Sequence, residues 1–498
     1  MKNLYFLDKK LSHIFNEFDS FERLKDMDGE IFRKYERRIT KRFQVNEKNY
    51  FIKFHGPVGW KEILKNIFQI KTPVIGAQRE YEALNHLAKR GIQCPEIKGF
   101  GKKGLNPANS SSFLITEELY ETVSLEDFFL QGLYKELTKR QKINLIKKSA
   151  SLIRSMHLSG LNHRDLYLCH IHIKNDPNFI EPELYLIDLH RAQIRSKVPR
   201  RWLVKDLGGF FHSCIQFGFS ERDFYRFMMT YYECSFASLI TNHFFMIEKI
   251  LDRAFKMYLA PALRNLSENT STSNEDRYAQ FQKNSRRCFI DKNFDFAELS
   301  EYLFDENLLI GLGEVIKNEK GHLIVKVKKE DKIFYIKKYR IKNLLHGISR
   351  LFKRTRAYNS CVSTLWLNAA GIKTAKILLL LEKKGFLGSR DSFLVTEGIK
   401  GERLDRLLEL NADLDVFPNI VAFFKRMNWI RFSHGDVKTS NFFLNETGLI
   451  TFDLDSSKRR FFKFSHEKAI SKDKRRILKS LKNHGRLHMK LSKTLLGN

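Results

Sequence analysis

The chain has 498 residues, 43% of them hydrophobic, so it can form folded cores and is too long for one ordinary domain. Its 88 Lys and Arg against 57 Asp and Glu give a formal net charge of +31, which favours anionic partners such as nucleic acid, anionic lipid or a phosphorylated substrate. No run of about 18 uncharged apolar residues predicts a membrane span, and the mixed charges of residues 1–20 argue against a signal peptide. The six cysteines form no CxxC pair, so neither a zinc site nor a disulfide framework is indicated, and a reducing cytoplasm fits best.

A β-hairpin is predicted over residues 42–54, where a polar turn separates two strand segments, and Lys53 lies in the second of these segments. A helix is predicted over residues 77–90, with Gly91 as its C-terminal stop. Glu80 falls on the apolar face of that helix and therefore needs a cationic partner. Lys53 is the candidate for that partner.

Later in the first half, a loop of sequence His-Arg-Asp-Leu-Tyr-Leu-Cys-His contains Asp165 and ends at His170. An apolar strand, residues 184–187, then ends at Asp188. A carboxylate at the end of a buried strand can hold Mg²⁺, whereas the alternative for such an Asp is a turn-starting residue. His170 is either a metal ligand or water holder, or a packing residue.

The second half repeats the order of strand Lys, helix, loop Asp and strand-end Asp. It has predicted strands over 323–328 and 333–337, a helix from about 355 to 371, a loop containing Asp436, and an apolar strand over 449–452 that ends at Asp453. Two occurrences of one order are hard to attribute to chance. The segment 266–294 is polar and weakly patterned, so a linker is predicted there, between domains 1–265 and 295–498.

This order is typical of phosphoryl-transfer sites, which need charge neutralisation and positioning. Lys53 and Lys337 are candidates to contact the α- and β-phosphates of a nucleotide, although a lone strand Lys is more often an ordinary solvent-facing residue.

The second loop, His-Gly-Asp-Val-Lys-Thr-Ser-Asn, has the H-x-D-x-K-x-x-N pattern of kinase catalytic loops. Its Asp436 can orient and deprotonate an acceptor hydroxyl, and Lys438 can steady the transferring group. Asn441 can bind a metal ion, together with Asp453.

The helices and the glycine loops distinguish the two halves. Counted back from the stop glycine, Ser360 takes the place of Glu80 in the second half, so either Lys337 is held differently or this half is impaired. Neither half has an intact G-x-G-x-x-G: the first offers only Gly29 and the second only Gly-Leu-Gly at 311–313.

With these motifs, the first half resembles the lipopolysaccharide core heptose(I) kinase family (WaaP, also called RfaP). The matching stretches are 29–34, 37–43, 50–55, 58–66, 162–170, 187–195 and 201–207. The resemblance implies ATP and Mg²⁺ as cosubstrates and phosphate transfer to a heptose hydroxyl of the inner core at the cytoplasmic face. It further implies that Asp165 is the catalytic base, Lys53 and Glu80 are the nucleotide pair, Asp188 is a metal ligand, and His170 is a family trait.

The second half is similar to the broader lipopolysaccharide kinase and InaA-like group, through stretches 334–339, 370–374, 434–441 and 452–455. In that group the absent helix carboxylate is common, so Ser360 does not by itself imply inactivity. Its acceptor is open between a second heptose, Kdo and another sugar.

The predicted fold class is α+β, with two tandem protein-kinase-like folds, each a small β-rich N-lobe followed by a mainly helical C-lobe. The favoured function is a bifunctional sugar kinase of the lipopolysaccharide core. In one alternative the second half is a pseudokinase that docks substrate or membrane, and in another the chain is a protein kinase.

The expected partners are the core glycolipid and an anionic membrane surface, with no nucleic acid. The expected location is peripheral, on the cytoplasmic face of a Gram-negative-type inner membrane. The basic segment 458–498 is either an amphipathic membrane-binding helix or a terminal helix packed on its own domain.

Overall fold

The structure is a computed structural model with mixed α+β secondary structure. It describes residues 4–12, 28–35, 37–68, 76–104, 106, 108–174, 181–267, 278–283, 286–294, 306–319, 321–329, 331–340, 354–385, 388–411, 414–460 and 462–497. The chain divides into two compact units, Met1–Ala254 and Phe255–Asn498.

The first unit is built around a six-stranded antiparallel sheet. Its strands, in spatial order, are Leu4–Leu7, Ile97–Lys103, Ser111–Glu117, Lys48–His55, Arg38–Val45 and Glu30–Tyr35. One face of the sheet is apolar because Phe43, Tyr50 and Ile52 alternate with more exposed residues, and they pack with Phe113 and Ile115. The predicted hairpin is confirmed, and positive φ angles at both residues of its tight turn connect the two strands.

Helices and short strands follow this sheet in the chain. The helices of the first unit are Lys9–Ser12, Trp60–Phe68, Gln78–Ala88, Leu125–Leu130, Leu133–Glu136, Lys139–Leu158, Arg200–Ile215, Glu221–Tyr232 and Phe236–Asn242. The short strands are Thr122–Ser124, Leu161–Asn162, Ile171–Lys174, Leu184–Leu186 and Gln193–Ile194, with 3₁₀ turns at Leu168–His170 and Leu189–Arg191. The helix predicted over residues 77–90 is confirmed, and Gly91 after it has a φ of +67°.

The second unit has a seven-stranded antiparallel sheet. In spatial order its strands are Tyr278–Lys283, Arg286–Asp291, Ile377–Gly385, Gly388–Glu397, Lys332–Tyr339, His322–Lys329 and Glu314–Glu319. Numbered by their order along the chain, the last five strands of this sheet lie side by side in the order 4-5-3-2-1. The last five strands of the first unit's sheet lie in the same order. In both units, the pairing shifts register once within the outermost of these five strands.

The remaining elements of the second unit follow the same plan of helices and short strands. The helices are Glu306–Gly311, Arg356–Ala369, Leu404–Leu410, Phe417–Trp429, Lys463–Ser480 and Gly485–Leu496. The short strands are Lys373–Thr374, Glu402–Arg403, Phe432–Ser433, Phe442–Asn445, Gly448–Thr451 and Lys458–Arg459, with 3₁₀ turns at Thr439–Asn441 and Leu454–Ser456.

The segment between the predicted domains differs from the sequence prediction. The division between the compact units lies inside the continuous helix Phe244–Ser267, ahead of the predicted boundary at residue 265. Within the predicted linker 266–294, two segments are strands that join the second sheet, and Cys288 and Ile290 belong to its core. The backbone N–H and C=O groups of these two segments form hydrogen bonds with neighbouring strands. The pattern of polar side chains alone does not reveal this pairing.

The basic C-terminal segment packs its apolar face onto its own unit. Ile470, Ile477, Leu478 and Leu481 are buried, whereas the basic residues between them are mostly exposed. Of the two sequence interpretations, the terminal helix packed on its own domain is the one observed. Within the described residues, no helix combines the length and the apolar character that a membrane crossing requires.

Candidate functional site

In the first unit, a cluster of charged residues surrounds Lys53, which lies on the strand Lys48–His55. Lys53 Nζ donates to Glu80 Oε1 at 2.5 Å and lies 3.6 Å from Asp188 Oδ1. The ion pair predicted between Lys53 and Glu80 is therefore present. Burial acts to lower the pKa of the Lys53 ammonium, but Glu80 and Asp188 outweigh it and hold that pKa above its ordinary value.

Glu80 is only 2% exposed, because it lies on the buried face of the helix Gln78–Ala88. The start of that helix is held by a hydrogen bond from the Ala77 amide to Ser112 Oγ at 2.9 Å, on the strand beside that of Lys53. Glu80 Oε2 is buried and has no hydrogen-bond partner among the described residues. The carboxylate is thus fixed by the fold and directed at the lysine.

Asp188 follows the strand Leu184–Leu186 and adopts a left-handed backbone conformation, with φ +57°. Its Oδ1 lies 2.7 Å from His190 Nδ1, and its Oδ2 lies 3.4 Å from His170 Nε2. Burial acts to raise the pKa of Asp188, but the hydrogen bond from His190 and the charge of Lys53 hold it well below its ordinary range. The carboxylate is therefore ionised at neutral pH.

Asp165 lies on the loop before the 3₁₀ turn Leu168–His170, and the buried carboxylate of Asp206 anchors the backbone of this loop. Asp206, which is fully buried, accepts from the backbone amides of His163 and Arg164 at 2.7 and 2.8 Å. Arg191 Nη1 donates to both carboxylate oxygens of Asp165, at 3.0 and 2.9 Å. Asp165 is thus held in one orientation by a guanidinium and by the anchored loop.

His170 hydrogen-bonds through Nδ1 to the backbone carbonyl of Asp165 at 2.6 Å. A carbonyl only accepts, so Nδ1 carries the proton, and when the ring is neutral its lone pair lies on Nε2. That lone pair faces the Asp188 carboxylate. Two acceptors that face each other across this distance are suited to share a cation.

In the second unit, Lys337 is held differently from Lys53. Lys337 Nζ donates to Asp453 Oδ1 at 2.5 Å and lies 3.9 Å from Asp455 Oδ2. Ser360 is buried at the helix position of Glu80, and its hydroxyl lies 3.4 Å from Tyr339 Oη. Burial acts to lower the pKa of Lys337, but Tyr339, Asp453 and Asp455 outweigh it and raise that pKa.

The carboxylate missing from the helix is thus supplied by the loop after the strand. Asp455 also forms an ion pair with Arg356, the first residue of the helix Arg356–Ala369. The first unit has Glu80 on the helix and His190 in the loop; the second has Ser360 on the helix and Asp455 in the loop. Of the two sequence alternatives for Lys337, the different anchoring is the one observed.

The second loop carries Asp436, Lys438 and Asn441 close together. Asn441 Nδ2 donates to the Asp436 carbonyl at 2.8 Å and to Asp436 Oδ2 at 3.0 Å, and Lys438 Nζ lies 3.1 Å from that same oxygen. Asn441 therefore makes the hydrogen bond to the loop carbonyl that His170 makes in the first unit. This hydrogen bond uses neither Asn441 Oδ1 nor His170 Nε2, so each side chain keeps one acceptor atom for another partner.

Several residues of both sites were missed by the sequence analysis. Asp473 accepts from the amides of His434 and Gly435 at 2.8 and 3.1 Å, as Asp206 does in the first unit. Asp473 falls between Ile470 and Ile477 on a helical apolar stripe, and this spacing was an available signal of burial. For Arg191, Arg356 and Asp455, no spacing rule indicates the partner.

Comparisons with known proteins match both units to one family. A family model described as "Lipopolysaccharide kinase (Kdo/WaaP) family" matches residues 22–231 and 313–493. The lipopolysaccharide core heptose(I) kinase WaaP of Escherichia coli strain K12 is 42% identical over 228 residues, which cover 45% of this chain and 86% of that protein. The same-named protein of Pseudomonas aeruginosa is 34% identical over 254 residues, 51% of this chain and 95% of that protein.

A solved structure described as "WaaP in complex with acyl carrier protein" is 30% identical, covers 52% of this chain and 100% of that chain, and has a TM-score of 0.45. The resemblance stated from the sequence is confirmed by the family model and the curated relatives. Each of the two matched stretches lies within one compact unit.

Proposed function

Because this chain belongs to the lipopolysaccharide kinase (Kdo/WaaP) family, we propose that it phosphorylates sugar hydroxyls of the lipopolysaccharide inner core with ATP as donor. The first unit is proposed to act on a heptose, the sugar in the names of its relatives. The second unit is proposed to act on a further sugar hydroxyl, which makes the enzyme bifunctional.

The observation that carries the proposal is the cluster of Lys53, Glu80 and Asp188 in the first unit. Lys53 Nζ lies within 3.6 Å of both carboxylates, one on a helix and one at a strand end. Phosphoryl transfer requires such a rigid cation for the α- and β-phosphates beside a carboxylate for a metal ion. Together with Asp165 on the neighbouring loop, this supports a kinase mechanism.

In the proposed reaction, Asp165 orients the acceptor hydroxyl and accepts its proton. The hydroxyl oxygen forms the bond to the γ-phosphorus while the bond between that phosphorus and the ADP oxygen breaks. Arg191 keeps the Asp165 carboxylate in one orientation, and Lys53 offsets charge on the nucleotide phosphates. The expected contribution of the chain is positioning and electrostatic stabilisation.

The residues present fit a magnesium ion. Within the described ranges, no group of three or more His, Cys, Asp or Glu side chains is arranged as a complete metal site. Mg²⁺ is usually held by one or two carboxylates together with phosphates and water, so Asp188, with His170 opposite, is a sufficient protein contribution. Asp453 and Asn441 are the corresponding pair in the second unit. When bound, the ion offsets the negative charge of the phosphates.

We further propose that both units are protein-kinase-like folds in tandem, each with a β-rich N-lobe and a helical C-lobe. The support is the five-strand order common to the two sheets and the equivalent loop anchors Asp206 and Asp473. In the second unit, Asp436, Lys438 and Asn441 supply the base, the cation and the amide that a catalytic loop needs. This favours an active second site over a pseudokinase.

The net charge of +31 supports an acidic glycolipid at an anionic membrane surface, with the enzyme peripheral on the cytoplasmic face of the inner membrane. Because the apolar face of the C-terminal helix is buried, its contribution to membrane attachment would be electrostatic, from exposed residues such as Lys472, Arg475 and Lys479.

The test is phosphate transfer from labelled ATP with Mg²⁺ to core lipopolysaccharide that lacks phosphate, using wild type, Asp165→Asn and Asp436→Asn. We expect Asp165→Asn to abolish phosphate at the heptose and Asp436→Asn to abolish only a second product. If wild type transferred no phosphate to the glycolipid, the proposed function would be wrong. If Asp436→Asn altered no product, the second unit would be a pseudokinase, and transfer to protein substrates instead would favour a protein kinase.

A further inference from the structure

A second cluster in the first unit surrounds the indole ring of Trp202, the third residue of the helix Arg200–Ile215. Four cationic side chains face this ring: the Cζ atoms of Arg164, Arg195 and Arg201 lie 5.0, 5.5 and 5.2 Å from its centroid, and Lys205 Nζ lies 5.4 Å from it. Each single contact is favourable, but four like charges around one ring repel one another.

None of these four cations has a carboxylate within ion-pair distance in the part of the chain that the structure describes. Arg195 donates to the neutral side chains of Asn162 and Gln193, and Arg164 Nε is buried with no hydrogen-bond partner in the described part of the chain. Burial and then the nearby Arg191 lower the pKa of Arg164, and burial and then Arg164 lower the pKa of Lys205. Asp165, and for Lys205 also Asp206, partly offset this positive charge, but among the described residues neither carboxylate forms an ion pair with any of the four cations.

The backbone at Arg164 is a separate indication that its side chain has a function. Arg164 has a φ of +75°, a left-handed conformation that is unfavourable for a residue with a Cβ. The second unit adopts the same conformation at the same loop position with Gly435, whose φ is +87° and for which it is unstrained. The first unit retains an Arg despite this strain, and its guanidinium lies over Trp202.

The cluster lies beside the carboxylate proposed as the base. Arg164 directly precedes Asp165, and Arg195 follows the strand Gln193–Ile194, which pairs with the strand just before that loop. Asp165 is among the charges that act on both Arg164 and Lys205. An anion held by this cluster would therefore lie next to a hydroxyl at Asp165.

We propose that Arg164, Arg195, Arg201 and Lys205 around Trp202 form an anion-binding subsite for a carboxylate on the acceptor glycolipid, carried by an acidic sugar next to the one phosphorylated. This rests on the proposed function of the first unit and specifies how its acceptor is selected. In the second unit, Gly435 stands at the position of Arg164 and, counted back from the anchor acid, Ala469 stands at that of Trp202, whereas Lys468 and Lys472 stand at the positions of Arg201 and Lys205.

The test uses the full chain carrying Asp436→Asn, so that only the first unit turns over. Arg201→Gln and Lys205→Gln, which lie outside the catalytic loop, are compared with Lys147→Gln, an exposed single-charge control in the same unit. The acceptor is core glycolipid lacking phosphate, either native or with its sugar carboxylates reduced to alcohols. Affinity for each acceptor is measured calorimetrically without ATP, and kcat and KM are measured with it.

Loss of each charge-assisted hydrogen bond is expected to raise the Kd for the native acceptor about 10-fold, with the KM for ATP unchanged. The Lys147→Gln control should have the acceptor Kd and the kinetic constants of the wild type. Reduction of the carboxylates should weaken wild-type binding similarly and make the variants indistinguishable from wild type.

Equal losses with both acceptors, or a raised KM for ATP with unchanged acceptor affinity, would overturn the subsite. If wild type binds the native acceptor in preference to the reduced one but transfers no phosphate, the proposed function fails while the subsite stands. Arg164→Gly should also lower acceptor affinity while raising the unfolding midpoint, because it relieves the backbone strain.

Discussion

Replacing Asp455 by Asn is expected to weaken ATP binding by the second unit, because Asp455 supplies the carboxylate that its helix lacks. Asp455 Oδ2 lies 3.9 Å from Lys337 Nζ, and its side chain is only 7% exposed. Its other partner, Arg356, would be left unpaired near Lys337 after the substitution. The lysine would then be held by Asp453 alone and repelled by a neighbouring cation.

The magnitude follows from the distances. Two unit charges 4 Å apart attract by about 4 kcal/mol at an effective dielectric constant of 20, before the cost of desolvation is subtracted. The net value of a hydrogen bond to a charged group is about 1.5–3 kcal/mol. We therefore expect a loss of about 2 kcal/mol, which is roughly a 30-fold increase in the Kd for ATP.

The assay is calorimetric titration of ATP and Mg²⁺ in a Lys53→Met background, so that the second unit alone binds nucleotide. Asp331→Asn, which removes an exposed carboxylate in the same unit, is the matched control and should leave the Kd unchanged. Adding Ser360→Glu to Asp455→Asn restores a helix carboxylate at the position of Glu80, and we expect it to recover most of the affinity. Thermal unfolding of each variant separates this effect from the roughly 1–3 kcal/mol that overpacking can cost.

An unchanged Kd in Asp455→Asn would refute the reasoning, since it would mean that Asp453 alone anchors Lys337. A folded Asp455→Asn, Ser360→Glu variant with no recovery would also count against it. The reciprocal pair in the first unit, Glu80→Ser with and without His190→Asp, should show the same loss and partial recovery.

Three further predictions concern the loop anchors and two histidines. Asp206→Asn removes a charged acceptor from two backbone amides, so transfer at the first site should fall about 10- to 100-fold with the second product unaffected, and Asp473→Asn should do the reverse. His170→Asn keeps a donor for the Asp165 carbonyl, so it should retain heptose phosphorylation within about tenfold, whereas His170→Leu should lose about 100-fold. Burial and then Arg38 lower the pKa of His55 to about 3. Between that value and the ordinary pKa of about 6.5, the imidazole binds a proton in the unfolded state but not in the folded state. The free energy of unfolding should therefore not depend on this group above about pH 7, and it should fall below pH 6.5 by up to about 1.4 kcal/mol per pH unit. Urea unfolding should find this dependence absent in His55→Gln.

Local patterns were sufficient to predict the elements that carry the lysines and the loop acids. The hairpin that contains Lys53 and the helix that ends before Gly91 follow from alternation, turn residues and a glycine stop, and both are present. The pairing of Lys53 with Glu80 also followed, because an acid on an apolar helix face requires a cation. The linker 266–294 was misjudged, because backbone pairing at a sheet edge leaves little trace in polar side chains.

By itself, then, the sequence determined that one order of chemistry-bearing residues occurs twice and that the first half resembles the heptose kinases. Only the tertiary structure decided how each lysine is held and what anchors each loop. Asp206, Asp455 and the cations around Trp202 act through partners that come from other elements of the fold. Such contacts depend on how strands and helices pack, which no spacing along the chain encodes.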